Sequence, residues 1–503
     1  MVRVRLVVLV LIGIICVRTG LQTGHAAELV IPPWPWYRTV LGPQNIIVVT
    51  VEFADAKHTQ PRSYYEDLFF NKIDRYFRET SYNQCWIVGD ITNKWYQMPK
   101  SSKEYVLGRG PGFNLYAVWP FVEEAVLIAD NDVDYSKYRM VVIVHAAEGI
   151  GIGYSFVSPV KTRRGTFLLS YVILPEQRIL QYPGVPPHEF GHGLGGLPDM
   201  YVLTPAGTAD TVFVGQWDQM SAAFSMWRHF SAWCKIKMGW IQSHGMVETR
   251  RGQTANVTLD PLSVAGSGVY ALKIILTEKM YYLVEVRQKI GYDRNLPDSG
   301  VVIYLVDESK GRRADESPLI VQDATPDTAT LDDSAYDLRE RRPAGFFDRG
   351  YDVSVVIVRR RAPTWMSYML FTGPVARGEA VLQENKKALP TMKILQEADA
   401  AIQRAIVEER TSGIDKAKLF LGNASAAYNR GAYDDAATLA NQARNAAEAA
   451  FKPVVSTVTV PLTQTTAVPT VQPSYASYAI AGATAAAFLI IGLVIAKRRK
   501  KTS

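Results

Sequence analysis

The sequence of 503 residues contains few cysteines and few histidines. Of its three cysteines, Cys16 lies in an N-terminal apolar run, which leaves Cys85 and Cys234 for the rest of the chain. These two residues either form one disulfide bond or stay as buried free thiols, because sequence spacing does not show whether two cysteines approach each other. No cysteine lies between residues 27 and 85. That absence excludes regulation of the protein through a cysteine thiolate in this stretch.

Little net charge remains once the two ends of the chain are set aside. The sequence carries a formal charge of +7, of which residues 497–501 supply five positive charges and Arg3, Arg5 and Arg18 supply three. The rest of the chain therefore carries one net negative charge. A near-neutral body lacks the basic surface that nucleic-acid binding requires, so we expect no nucleic-acid partner.

The N-terminal end resembles a targeting segment. In residues 1–27, Arg3 and Arg5 precede an apolar run, and small residues follow around Ala26. This is the pattern of a secretory signal peptide that is cleaved near Ala26. An uncleaved membrane anchor is the alternative, because Arg18 interrupts the apolar run.

The C-terminal end predicts a membrane anchor. Residues 477–496 are apolar or small without interruption and long enough for one transmembrane helix. A buried core helix is the alternative, but the basic tail 497–503 follows at once, and positive charge stays on the cytoplasmic side of a membrane. Residues 453–476 are rich in Thr, Val, Pro and Gln and predict an extended stalk. We therefore expect a single-pass cell-membrane protein with its bulk outside the cell and its C-terminus in the cytoplasm.

One stretch carries residues suited to metal chemistry. Residues 188–199 read HEFGHGLGGLPD. On a helix, residues four apart lie on one face, so the imidazoles of His188 and His192 can bind one metal ion. Glu189 is then placed to take a proton from a water that the metal activates. A chance pair of core histidines is the alternative, but the chain has only 7 histidines, which argues against such a coincidence.

Further segments extend this pattern towards a known family. Residues 215–221 (GQWDQMS) form a methionine-bearing segment, here called the Met220 loop, and residues 229–240 and 281–287 (YYLVEVR) follow. Together with HEFGHGLGGLPDMY they resemble the immune inhibitor A family of secreted zinc metallopeptidases, over roughly residues 40–310. The resemblance implies a metzincin-type catalytic domain, a Zn²⁺ cofactor, and protein or peptide substrates. It also implies that Met220 forms a hydrophobic floor under the metal.

The spacing after the second histidine departs from that family. The family has one glycine before Leu-Pro-Asp, whereas this chain has Gly195 and Gly196. Because glycine adopts positive φ freely, the pair is expected to absorb the extra residue as a wider turn that ends the helix. The resemblance then implies Asp199 as the third zinc ligand, beside His188 and His192. An Asp199 that only caps the following turn is the alternative.

The order of apolar runs predicts an α+β protein of several domains. Residues 28–245 begin with a buried strand at 46–53 and an amphipathic helix at 63–80, and they predict a zincin-like α/β catalytic domain. Residues 246–376 contain short apolar or alternating runs that predict a β-sandwich-like domain. Residues 377–452 are rich in alanine and predict a small C-terminal helical bundle, ahead of the stalk and the transmembrane helix.

Several finer elements follow from the same periodicities. The charged stretch 308–350 predicts a long excursion or a flexible loop. The predicted helices are 115–129, 391–410, 414–429 and 432–451, and the remaining predicted strands are 140–144, 254–262, 269–276, 280–288, 300–306, 352–359 and 366–371.

Two further features bear on ions and on modification. Asp130, Asp132 and Asp134 alternate and allow Ca²⁺ as an additional ion, but the glycine and glutamate of an EF-hand are missing, which favours a solvated loop at a helix end. Asn256 and Asn423 begin N-x-S/T sequons, which is typical of a glycoprotein with an exposed ectodomain.

The sequence as a whole predicts a cell-surface zinc endopeptidase. Glu189 is its expected general base, and His145 and His229 are expected to be packing histidines outside the site. The alternative from another class is a catalytically inactive scaffold or adhesion protein that retains the fold. The intact His-Glu-His set argues against this alternative.

Overall fold

The structure is a computed structural model that describes most of the chain between residues 36 and 453. The described residues are 36–105, 118–147, 154–203, 209–221, 226–266, 268–311, 315–339, 342–360 and 367–453. The signal peptide 1–27, the stalk from residue 454 and the transmembrane helix 477–496 are predictions that lie outside them. Among the helices that are described, none combines the length and the hydrophobicity needed to cross a membrane. The described chain is a mixed α/β protein with several sheets and helices.

In the described part of the chain, a six-stranded sheet lies at the centre of the N-terminal half. Its strand order is β2-β1-β4-β6-β5, and β3 pairs with the end of β1. Strands β1, β2, β3, β4 and β6 run parallel to their neighbours, whereas β5 is antiparallel to β6. The strands are β1 (Gly42–Glu52), β2 (Cys85–Ile91), β3 (Tyr96–Gln97), β4 (Met140–His145), β5 (Tyr154–Thr162) and β6 (Gly165–Pro175).

Helices cover both faces of this sheet. The segment predicted as one helix over 63–80 is continuous but changes its winding, with a π-helical turn between two α-helical parts. The predicted helix at 115–129 is described from Trp119 onward. The helices of this half are α1 (Arg62–Asp67), α2 (Asp74–Thr80), α3 (Trp119–Ala129), α4 (Glu176–Gln181), α5 (Val185–Gly195) and α6 (Ala232–Lys237).

The alternation of side chains along β4 divides the interior into two cores. Val142 and Val144 belong to the core that also contains Phe190 and Leu194 of α5. Their neighbours Val141 and Ile143 belong to the core that contains α3. Because successive strand residues point to opposite faces, one buried run of β-branched residues holds helices on both sides. We call these the α5 face and the α3 face of the sheet.

A short pair of strands, β7 (Val202–Leu203) and β8 (Ala209–Asp210), precedes the second half, in which two larger sheets follow. In the described residues, one sheet has the strand order β14-β13-β12-β11-β9 and the other β10-β17-β16-β15. Side chains from both sheets share one core, including Leu272 and Val284 from the first and Val355 and Leu370 from the second. The strands are β9 (Met246–Arg250), β10 (Ala255–Leu259), β11 (Ala271–Ile275), β12 (Met280–Arg287), β13 (Gly300–Asp307), β14 (Leu319–Val321), β15 (Gly345–Asp348), β16 (Val353–Arg360) and β17 (Tyr368–Gly373).

Two predictions, one for each half of the chain, need correction. The charged stretch 308–350 is not a free excursion, because it supplies β14 and β15 and buries Ala335 and Tyr336. Short apolar runs lie between its charged residues. They form β14 in the five-stranded sheet and β15 in the four-stranded sheet. Cys85 and Cys234 are both buried free thiols, so the disulfide alternative is wrong.

Three helices end the described chain, as the alanine-rich composition predicts. They are α7 (Val375–Val407), α8 (Ile414–Asn429) and α9 (Tyr433–Glu448). Helix α7 begins 16 residues before the predicted 391, because Pro390 lies inside it rather than at its start. Contacts divide the described residues into two units. One contains the residues up to Glu397 together with Leu421–Asn441, and the other contains Ala398–Phe420 and the residues from Gln442 onward.

Candidate metal centre

The helix that carries the two histidines has defined ends. Pro186 and Pro187 occupy its first turn, where a missing N–H is tolerated. Gly196 ends it in the left-handed conformation with φ of 66°, and its N–H donates to the carbonyl of His192 at 2.8 Å. Glycine takes this conformation without the steric cost that a side chain brings. The helix therefore ends at the paired glycines, as predicted, with Gly196 in the left-handed conformation.

The N-terminal segment of the described chain covers this helix end. The Arg38 N–H donates to the carbonyl of Gly195 at 3.0 Å. Trp36 packs so closely that a methyl group on Gly196 would lie 2.5 Å from its Cδ1 atom. The second glycine thus meets two requirements, a positive φ and close contact with an indole ring.

Three donor atoms converge beside helix α5. The Nε2 atoms of His188 and His192 lie 3.0 Å apart, and Asp199 Oδ1 lies 3.1 Å from the first and 3.2 Å from the second. His188, Glu189 and His192 also place one donor atom each within 4.8 Å of one another. The structure therefore brings all four predicted residues together.

Backbone carbonyls orient both imidazoles. Nδ1 of His188 lies 3.1 Å from the carbonyl oxygen of Gln219, and Nδ1 of His192 lies 2.6 Å from that of Leu197. A carbonyl only accepts, so each Nδ1 carries the proton and each Nε2 presents a lone pair. Ring nitrogens that bind metals are usually oriented in this way by a second hydrogen bond.

The donor set fits a divalent metal ion. Two imidazole lone pairs and a carboxylate oxygen lie 3.0 to 3.2 Å apart, and they repel one another unless a cation lies between them. Donors held at about 2.1 Å around a tetrahedral zinc ion lie about 3.4 Å apart. The separations are close to that value, so His188, His192 and Asp199 can act as three protein ligands and leave one position open.

The electrostatics of Asp199 favour its ionised form. Burial raises the pKa of its carboxyl group, but when the imidazoles of His192 and His188 are protonated, their attraction and hydrogen bonds outweigh burial, so that the pKa lies well below its usual range. A carboxylate rather than a carboxylic acid is the form that binds a metal.

The Met220 loop lies behind the donors. Met220 is fully buried, and a methyl group on Gly191 would lie 2.5 Å from its Sδ atom. Its carbonyl accepts the N–H of Met200 at 2.9 Å. Met220 therefore packs against the middle of helix α5, and its carbonyl is hydrogen-bonded to Met200, the residue that follows Asp199.

His145 and His229 lie outside the donor group. His145 ends β4 on the α3 face, with its ring edge-on to Phe53 and Phe121, and burial lowers its pKa to about 3. His229 is buried between Glu79, whose Oε1 is 3.1 Å from Nε2, and Lys235, whose Nζ is 3.0 Å from Nδ1. Both are packing histidines, as the sequence predicts.

The three alternating aspartates pair with separate basic side chains. Arg163 Nε lies 3.6 Å from Asp130 Oδ2, while Lys94 Nζ lies 3.3 Å from Asp132 and Arg164 Nη1 lies 3.2 Å from Asp134. Over the residues that the structure describes, the side chains that gather as candidate metal ligands lie at helix α5, where His188, Glu189 and His192 are joined by Asp199. The possible Ca²⁺ site that the sequence allowed therefore gains no support from this loop.

Sequence reasoning missed the groups that orient the donors. The acceptors of the two imidazoles are main-chain carbonyls of Gln219 and Leu197, and a carbonyl leaves no signature in the residue type. The Tyr201 ring lies 5.9 Å from the His188 ring, tilted by 31°. Its signal was present in the sequence, two residues after Asp199.

Comparison with known proteins does not assign a function to this site. The chain matches no model of a known protein family, and a search of curated proteins finds no match. The case for a function therefore rests on the geometry of the donors and on the sequence motifs.

Proposed function

We propose that this chain is a zinc-dependent endopeptidase of the metzincin type, similar to the immune inhibitor A family. The observation that carries the proposal is the convergence of His188 Nε2, His192 Nε2 and Asp199 Oδ1 within 3.2 Å. Three protein ligands with an open fourth position are typical of catalytic zinc, whereas structural zinc usually has four.

The roles of the residues follow from their positions. His188, His192 and Asp199 would hold the ion, and Met220 packs against helix α5. Zinc, when bound, supplies Lewis acidity that lets water lose a proton near neutral pH. Glu189, buried beside His188, accepts that proton and later delivers it to the amine that leaves.

The sheet next to the helix offers a place for an extended substrate. Strand β5 is the last strand in the sheet order and packs near α5, where a methyl group on Gly193 would lie 3.2 Å from Ser155 Oγ. Pro159 lies in β5, and proline is largely confined to edge strands. An extended peptide can add to such an edge through main-chain hydrogen bonds. This supports protein or peptide substrates.

The remaining architecture belongs to the same proposal. A zincin-like catalytic domain over 28–245, a β-sandwich-like domain over 246–376 and a helical bundle over 377–452 would stand outside the cell. A cleaved signal peptide 1–27 and a transmembrane helix 477–496 would place them there. The core that the five-stranded and four-stranded sheets share supports a β-sandwich. An inactive adhesion scaffold stays the second candidate.

The test compares Glu189→Ala with the unaltered full chain. Loss of the base is expected to reduce casein hydrolysis by about 10²- to 10⁴-fold, while zinc content stays near one ion per chain. Glu278→Ala, at an exposed turn, is the matched control and should keep full activity. If the zinc-loaded wild type cleaves neither casein nor gelatin, the scaffold function replaces the enzymatic one.

A further inference from the structure

We propose that Glu285, Arg287 and Asp293, here called the buried ion cluster, position the metal ligand His188 through the Met220 loop. Metal binding then requires the β-rich part of the chain as well as the helix with the motif. This inference rests on the proposed function, since it concerns how the same metal site is held.

The buried ion cluster joins one guanidinium to two carboxylates. Arg287 donates from Nε to Asp293 Oδ2 at 3.0 Å and from Nη2 to Oδ1 at 2.7 Å, and from Nη1 to Glu285 Oε1 at 3.0 Å. All three side chains are fully buried. Buried ion pairs add little net stability, because removing the charges from water offsets their attraction. The cluster is therefore better explained by the groups that it holds in place.

The guanidinium reaches the Met220 loop directly. Arg287 Nη1 also donates to the carbonyl of Trp217, which lies within this loop. Arginine suits this task because its planar fork of donors can bind two carboxylates and a carbonyl in one fixed arrangement.

The two carboxylates fix the segment that follows the loop. Asp293 accepts the N–H of His229 at 2.9 Å, and Glu285 accepts the N–H of Ala232 at 2.6 Å. Asp218, inside the loop, accepts the N–H groups of Met220 at 2.6 Å and Ser231 at 2.7 Å. The loop and the start of helix α6 are thus tied to β12 and to each other.

From the loop, hydrogen bonds continue to the metal ligands. Two residues after Trp217, the Gln219 carbonyl accepts from His188 Nδ1, and the Gln219 side chain donates to the carbonyl of Gly184 at 2.9 Å, just before helix α5. The Met220 carbonyl accepts from Met200, the neighbour of Asp199. A shift of the loop would therefore move the acceptor that aims His188 and the turn that carries Asp199.

The experiment measures metal affinity separately from folding. Arg287→Met and the milder Asp293→Asn are made in the full chain, and each metal-free protein is titrated with Co²⁺, whose visible spectrum reports the geometry of its ligands. We expect about 10- to 100-fold weaker binding, as for other groups that orient metal ligands, with an altered spectrum. Arg287→Lys should not restore the wild-type value, because an ammonium cannot reproduce the two-pronged contact.

Controls separate positioning from general stability. Arg342→Met removes an arginine that bonds Asp298 in the same β-rich part at 2.7 Å, and it should leave the Co²⁺ affinity unchanged. Urea unfolding of each metal-free variant shows whether it is folded, and Asp293→Asn decides the matter if Arg287→Met does not fold. A folded Asp293→Asn or Arg287→Met protein with wild-type affinity and spectrum overturns the inference. A wild type that binds neither Co²⁺ nor Zn²⁺ overturns the proposed function itself.

Discussion

The two faces of the six-stranded sheet both bury histidine, yet one of them forms a donor group. On the α5 face, the Nδ1 atoms of His188 and His192 meet backbone carbonyls. On the α3 face, His145 lies against aromatic rings, and no group in the described part of the chain hydrogen-bonds its Nδ1 atom. Burial alone lowers the pKa of an imidazole. A metal ligand needs in addition an acceptor that fixes the other ring nitrogen.

The largest expected effect is on metal affinity at the α5 face, when the third donor is removed. Asp199→Ala leaves two histidine ligands, and we expect the affinity for Zn²⁺ to fall by more than the roughly 100-fold that loss of an orienting group costs. Competition with a chromogenic chelator measures it. Asp210→Ala, an exposed aspartate of β8 (Ala209–Asp210), is the control that should bind normally. Unchanged zinc affinity in Asp199→Ala would assign the residue to capping the turn.

The helix end beneath Trp36 provides a second test of the α5 face. Gly196→Ala introduces strain at positive φ, which costs about 1–2 kcal/mol, and a methyl group 2.5 Å from the indole. Overpacking adds about 1–3 kcal/mol, so we expect about 3 kcal/mol less stability in urea unfolding.

Gly252→Ala separates the two contributions to that loss. Gly252 has φ of 79°, and a methyl group added there would have no neighbouring atom within 4 Å among the described residues. Its substitution should therefore cost only the backbone strain of about 1–2 kcal/mol. Equal losses at Gly196 and Gly252 would show that contact with Trp36 does not constrain the turn.

His145, the buried histidine of the α3 face, should make the free energy of unfolding depend on pH. Burial depresses the pKa of His145 from its ordinary value of 6.5 to about 3. Between these values the unfolded chain binds a proton that the folded chain does not, so stability falls as pH falls, by about 1.4 kcal/mol per pH unit.

Substitution of His145 tests this assignment. His145→Leu removes the titrating group, so the decline in unfolding free energy from about pH 6.5 to about pH 4.5 should be shallower by that amount per unit. Urea titrations at several pH values measure the slope. His244→Leu, at an exposed position, should keep the wild-type slope. An unchanged slope in His145→Leu would mean that burial on this face does not depress the pKa.

The sequence predicted which side chains converge at the site better than it predicted the groups that hold them in place. Spacing alone brought His188, Glu189 and His192 to one helix, and the paired glycines indicated its end. The groups that orient the imidazoles are main-chain carbonyls, and the residue that covers the helix end is the distant Trp36. Such contacts depend on tertiary structure, and no local periodicity encodes them.

The fold shows the same division. Long β-branched runs such as β4 and β12 were predicted, because a buried strand needs apolar residues at every position or at alternate positions. Strands β5 and β6 were not predicted, since glycine, serine and proline interrupt this region. They form strands by pairing with each other and, for β6, with β4. The early start of α7 escaped prediction because proline favours the first turn of a helix, whereas Pro390 lies in the helix interior.

The contact between Arg287 and Trp217 has a consequence for synthesis of the chain. The ribosome releases the HEFGH helix and the Met220 loop before the guanidinium that holds the loop. At about 5–20 residues per second, the roughly 70 residues between Trp217 and Arg287 take about 4–14 s. During that interval the nascent chain has both histidines but no anchored loop behind them. We expect chains truncated before β12 to keep the motif and yet to bind a metal ion weakly.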